Sequence, residues 1–167
     1  KYPDAVTELA VLALSYGVFS FFNASLQFIA QLANVYARSP VATRRSWRFV
    51  VIASTLIMLP LAIIAGTDSG MSLISHIFSI DAALTARVGE YLVLLCPMIL
   101  LNGQRHYFSG LLVQAKLTGW MTLINFTYLG IVIAALLTGL ALAIKPAYVV
   151  VGSEALGVVV MLALLMF

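Results

Sequence analysis

An all-α, polytopic membrane helix bundle with about five transmembrane helices is the fold class this sequence predicts, on three observations. Of 167 residues, 63% are hydrophobic and only 9% are charged, against roughly 45–50% and about 25% in soluble domains. The mean hydropathy is +1.09. The apolar residues are gathered into five runs, each close to the roughly 20 residues an α-helix needs to cross a hydrocarbon core of about 30 Å. A chain of this length cannot hide that much apolar surface in one soluble core, so lipid must cover the excess.

The whole chain, residues 1–167, reads as one transmembrane domain. The first span is expected over residues 7–36, opened by Pro3-Asp4 and closed by Ser39-Pro40. The second covers 47–65 and contains Pro60; the third covers 88–113 and contains Pro97. The fourth covers 120–144 and the fifth 147–167. Punctuation separates them: Gly66-Thr67-Asp68-Ser69-Gly70, Thr118-Gly119 and Lys145-Pro146. Residues 71–78 are apolar but too short to span, which predicts a helix lying in the membrane interface. His76 is expected in a solvated loop. Pro60 and Pro97 are expected to interrupt their helices.

Basic residues set the orientation. Arg38, Arg44, Arg45 and Arg48 lie between the first two spans, and Lys116 lies between the third and fourth. Lys1, Arg87 and Lys145 fall on the opposite side, together with the loop acids Asp4, Glu8, Asp68, Asp81 and Glu90. The Arg38–Arg48 loop is therefore expected to be cytoplasmic and the protein to sit in the cell membrane, with Trp47 and Trp120 as interfacial anchors. In that orientation the first span runs inward with no signal peptide before it, and the chain starts at Lys1. Both features lead to the expectation of a piece incomplete at both ends, holding spans two to six of a longer protein.

Several functions lack their signatures. The few charges offer no nucleic-acid surface. Cys96 is the single cysteine and sits in an apolar run, where a buried thiol is expected. No phosphate loop, nucleophile elbow or metal-ligand cluster occurs, so neither an enzyme nor a resident metal or cofactor is expected.

Polar residues inside the spans carry the functional reading, because lipid penalises them. Tyr16, Ser20, Asn23, Gln27, Gln31, Asn34 and Arg38 recur at steps of three or four, which places them on one helix face. Such a stripe lines a water-filled pathway, or it glues helices together. On the third span Asn102, Arg105, His106 and Ser109 share a face. Arg105 is eleven residues from Lys116, roughly 16 Å along a helix. A charge so deep needs a partner, water or a ligand, since a central Arg costs about 2.5–3.5 kcal/mol on insertion scales. Beside it, His106 is a candidate for anion binding or proton coupling. Glu154, nine residues from Lys145, is the acid inside a span. It either neutralises Arg105 or, unpaired, is a candidate proton carrier.

A family resemblance is carried by short motifs. Asp4-Ala5-Val6-Thr7-Glu8-Leu9-Ala10 through Ser15-Tyr16-Gly17 resembles the start of a second span in the progressive ankylosis protein family. Ile80-Asp81-Ala82 through Glu90-Tyr91-Leu92 and Pro97 resembles the acidic start of a fourth span. Ser109-Gly110-Leu111-Leu112-Val113-Gln114-Ala115-Lys116 resembles its Gly-containing end. The chain is thus similar to one lobe of the multidrug/oligosaccharidyl-lipid/polysaccharide flippase superfamily, which includes multidrug and toxic compound extrusion transporters. The resemblance implies a partial lobe of a twelve-helix antiporter whose second lobe is missing here. It implies alternating access, coupling to H⁺ or Na⁺, and export of a small organic molecule, with Arg105 pointing to an anionic one. Under it, Asn23, Gln27, Gln31, Asn102, Arg105, His106, Ser109 and Glu154 line the substrate and ion pathway. A lipid-linked oligosaccharide flippase lobe and a non-transporting membrane scaffold are the alternatives.

Overall fold

The computed structural model describes residues 5–166. Lys1, Pro3, Asp4 and Phe167, which enter the sequence reading above, lie outside the described residues. Seven helices follow in order: α1 (Ala5–Ala24), α2 (Phe28–Tyr36), α3 (Pro40–Gly66), α4 (Asp68–Phe78), α5 (Ala82–Gln114), α6 (Thr118–Ala141) and α7 (Pro146–Met166). No strand occurs among the described residues. Five segments are long and apolar enough to cross a membrane: α1 with α2, then α3, α5, α6 and α7.

Helix starts follow capping chemistry. Ser39, in an extended conformation, accepts a hydrogen bond from the Ala42 N–H (3.2 Å), and Pro40 occupies the first turn, where no N–H is needed. Thr67 caps α4 by accepting from the Gly70 N–H (3.1 Å), and Asp81 caps α5 by accepting from the Leu84 N–H (2.7 Å). Three helices close alike, on a left-handed residue followed by an N–H that reaches back five residues. The pairs are Ile80 N–H to the Ser75 carbonyl after Ser79, Leu117 N–H to Leu112 after Lys116, and Ile144 N–H to Gly139 after Ala143.

The structure corrects four expectations. The first span is not one helix. Ser25, Leu26 and Gln27 form a tighter turn with N–H groups bonded three residues back. That turn re-aims α2 so that Ile29 and Ala33 are buried against α5. The second span begins at Pro40 rather than 47, because the Ser39-Pro40 cap starts the helix there; Arg44, Arg45 and Arg48 ride on its first turns instead of in a loop. The helix expected over 71–78 extends back to Asp68, and His76 lies in its last turn, exposed, rather than in a loop. The helices remain continuous through Pro60 and Pro97.

The 33-residue α5, about 50 Å long at 1.5 Å per residue, is the helix on which the others converge. Val88, Leu92, Leu95 and Ile99 are fully buried on it. It packs against α1, α2, α3 and α7, whereas α6 pairs chiefly with α7. Small residues permit the closest approaches, as membrane helices require. A Cβ on Gly110 would overlap the Ala30 carbonyl and come within 2.8 Å of Ala33 Cβ. A Cβ on Gly103 would overlap the buried Ser54 hydroxyl.

Those contacts set a measurable asymmetry among glycines. Gly110→Ala pushes α2 backbone away from α5 and is expected to cost about 1–3 kcal/mol, the usual range for overpacking. Gly130→Ala meets open space and is expected to leave stability unchanged or slightly raised. Thermal unfolding in detergent, read by circular dichroism, compares the two.

Candidate functional site

Two polar pairs tie α1 to α5, and both have the same residue offset. Glu8 accepts from Arg87, and Asn23 Oδ1 accepts from Asn102 Nδ2 at 2.9 Å; each pair is 79 residues apart. A constant offset means that two parallel helices run level with each other over the intervening 15 residues, about 22 Å. The Tyr91 hydroxyl also donates to Glu8 (3.2 Å). At the same end, Lys145 Nζ reaches both oxygens of Glu90 at 2.6 Å. The acids Glu8 and Glu90 are thereby neutralised where they stand.

Deeper along α5, beyond Asn102, lies the candidate site. The Arg105 guanidinium stacks over the Tyr128 ring of α6, 4.8 Å from its centroid. Tyr128 is seated on Gly157 of α7, where any Cβ would fall 2.8 Å from the ring carbons. Three residues before Gly157, Glu154 interacts electrostatically with Arg105 and faces Tyr16 of α1. The Tyr16 hydroxyl is buried without a well-formed hydrogen bond, and the Glu154 carboxylate is the polar group beside it. Half-buried His106 is next to Arg105, and one turn farther on Ser109 is buried. Tyr16, Arg105, Tyr128 and Glu154 therefore form one polar cluster between α1, α5, α6 and α7, with His106 adjoining Arg105 in the sequence and the Asn23–Asn102 amide pair flanking it.

Arg105 and Glu154 share this cluster but make no direct ion pair. The ion pairs among the described residues are Arg87–Glu8 and Lys145–Glu90. The partner of Arg105 is an aromatic face, which balances part of its charge without removing it. No group of three His, Cys, Asp or Glu residues suited to a metal occurs among the described residues.

Gln27 and Gln31 are not part of the cluster. With Ser20 and Asn34 they are exposed along the outer face of α1 and α2. The stripe read from the sequence thus divides: Tyr16 and Asn23 turn inward to α5 and α7, Ser20, Gln27, Gln31 and Asn34 are exposed, and Arg38 borders a cleft between α3 and α5.

Tyr128 escaped the sequence reading. Its signal is depth: it stands ten residues after Thr118, about 15 Å along α6, matching the depth assigned to Arg105 from Lys116. Two further contacts also went unread. The Trp47 indole N–H donates to Gln104 Oε1 (2.8 Å), and the Tyr107 hydroxyl donates to the Thr43 carbonyl (2.7 Å) with the Ser46 hydroxyl 3.0 Å away. Both join the start of α3 to the second half of α5.

The amide pair yields a double-mutant cycle. Asn23→Leu or Asn102→Leu alone strands the other amide in a dry contact and is expected to lower stability by about 1–2 kcal/mol; the double variant is expected to recover about 1 kcal/mol of the summed loss. Additive losses measured by thermal unfolding would show that the two amides do not act together. Comparison with protein families, curated proteins and solved structures finds no match to this chain. The likeness to the flippase superfamily therefore rests on the short motifs alone.

Proposed function

We propose that this chain forms part of a secondary active transporter of antiporter type, and that its exposed polar stripe is one wall of the translocation pathway. The observation that carries the reading is the exposure of Ser20, Gln27, Gln31 and Asn34 on the outer face of a hydrophobic span. Amides do not face hydrocarbon at that depth without large cost. They face water, a substrate, or a second surface of matching polarity. A second lobe of the same polypeptide would supply the opposite wall, as the resemblance to multidrug and toxic compound extrusion transporters implies. The same reading has the arginine-bearing end of the bundle on the cytoplasmic side of the cell membrane, which the distribution of Lys and Arg supports.

Within this reading, the cluster behind the stripe supplies coupling and selectivity. Arg105, held by Tyr128 rather than by a carboxylate, keeps a positive charge available to an anionic substrate. Glu154 beside Tyr16 is a carboxyl that takes up and releases H⁺, or engages Na⁺, as the access side changes. His106 lies close enough to Arg105 to respond to the same events.

The stripe is tested by reactivity. In a Cys96→Ala background, Gln31→Cys in the native membrane is expected to react with a water-soluble thiol reagent at least about tenfold faster than Ile63→Cys or Phe126→Cys, because thiolate forms only where water reaches. Ile63 and Phe126 are exposed residues of α3 and α6 and report the lipid-facing surface. Equal, slow reaction at all three positions would leave the stripe dry and favour the non-transporting scaffold.

A further inference from the structure

The charge of this molecule is distributed unevenly between its two ends. Arg38, Arg44, Arg45, Arg48 and Lys116 cluster at one end, where the sequence has no Asp or Glu. None of the five forms an ion pair among the described residues. At the opposite end the cations Arg87 and Lys145 are each matched by an acid. The unmatched end is therefore a strongly cationic surface on a membrane-spanning bundle.

That surface has a shape as well as a charge. A cleft of about 690 Å³ opens between the start of α3 and the second half of α5. Arg38 and Arg44, both exposed, border it, and Trp47, Tyr107, Phe108 and Leu111 continue its lining. Its polar groups other than the guanidiniums are largely engaged: the Trp47 N–H is held by Gln104 and the Tyr107 hydroxyl by Thr43. What is offered to an occupant is an apolar trough with two free cations at its border, beside a tryptophan of the kind that settles at headgroup level.

We propose that this cleft binds an anionic phospholipid, with the headgroup phosphate between Arg38 and Arg44 and the first part of an acyl chain along Phe108 and Leu111. Guanidinium groups suit phosphate because they present paired N–H donors in a fixed plane. A soluble anion would leave the apolar lining uncovered, and a neutral lipid would leave the guanidiniums without a counter-charge. A lipid carrying one negative charge satisfies both requirements.

Trp47 reports on the cleft. With Trp120→Phe, Trp47 is the remaining tryptophan of the two in the sequence. The protein is placed in phosphatidylcholine vesicles containing dibrominated phosphatidylglycerol or, in parallel, dibrominated phosphatidylcholine. Quenching of Trp47 is expected to give a relative association constant at least about tenfold higher for the glycerol lipid, since basic groups near the surface attract anionic headgroups. Arg38→Gln with Arg44→Gln is expected to reduce that preference to about unity. Arg48→Gln with Lys116→Gln removes the same charge from the same end outside the cleft, and is expected to keep most of it. Leu111→Trp, compared by bound-lipid mass spectrometry, fills the trough while retaining both arginines and is expected to lose the bound lipid. No preference in the unaltered protein would overturn the proposal. Equal loss in the two double variants would do so too, since it would reduce the effect to diffuse surface charge.

Discussion

Hydrocarbon provides no hydrogen bonds, so each polar side chain on the central helix has to be answered by another helix or by something that enters from outside. Around α5 this constraint is met in a definite order. Arg87 meets Glu8, Asn102 meets Asn23, Gln104 meets Trp47, and Tyr107 meets Thr43 and Ser46. The other helices are positioned by these answers as much as by apolar packing. The equal offsets of Glu8–Arg87 and Asn23–Asn102 hold α1 parallel to α5 and in register. The glycines at 103 and 110 then let α3 and α2 close on its other sides. Arg105 differs from Arg87 in that its partner is a ring face and not an acid.

Much of this was legible in the sequence, for a physical reason. Hydrophobic runs of the length that spans a membrane are a composition signal, and lipid allows few ways to satisfy it. Four of the five runs are single helices, and the first is two helices joined by a turn. Their boundaries were less legible, because the closing residues Ser79, Lys116 and Ala143 adopt left-handed conformations with no glycine to mark them. The start of α3 was misjudged because four arginines resemble a loop, while Ser39 and Pro40 determine that a helix is already under way. The break at 25–27 carries neither Pro nor Gly, and it depends on where α2 must sit against Gly110, which is tertiary information.

The candidate site shows the same division. Periodicity grouped Asn102, Arg105, His106 and Ser109 on one face of α5; in the structure Asn102 meets Asn23 of α1 and Arg105 meets Tyr128 of α6. It also grouped Tyr16 and Asn23 with Gln27 and Gln31. The tighter turn at Ser25 to Gln27 separates them, leaving the first two at α5 and the cluster and the last two on the outer surface. Tyr128 and Gly157 were invisible as a pair: a tyrosine and a glycine on successive spans carry no joint pattern until α6 and α7 fold back on one another.

The unequal treatment of polar groups on the two faces of the first span is itself an argument. Asn23 is matched by an amide of equal polarity, at the same level, with 2.9 Å between the atoms. One turn on, Gln27 has no side-chain hydrogen bond among the described residues, and neither has Gln31 after it. Placing an unmatched amide in hydrocarbon costs on the order of 2–7 kcal/mol. Three amides, Gln27, Gln31 and Asn34, would therefore consume a sum comparable to the roughly 5–15 kcal/mol that holds a whole domain together. A fold that gives Glu8, Glu90 and Asn102 short-range partners is not expected to tolerate that loss on its neighbouring face. On the proposed reading, water or a further polar surface lies against Gln27, Gln31 and Asn34 in place of lipid. The contrast is α3, where exposed Ile52, Leu56, Leu59 and Ile63 form a wholly aliphatic row suited to lipid.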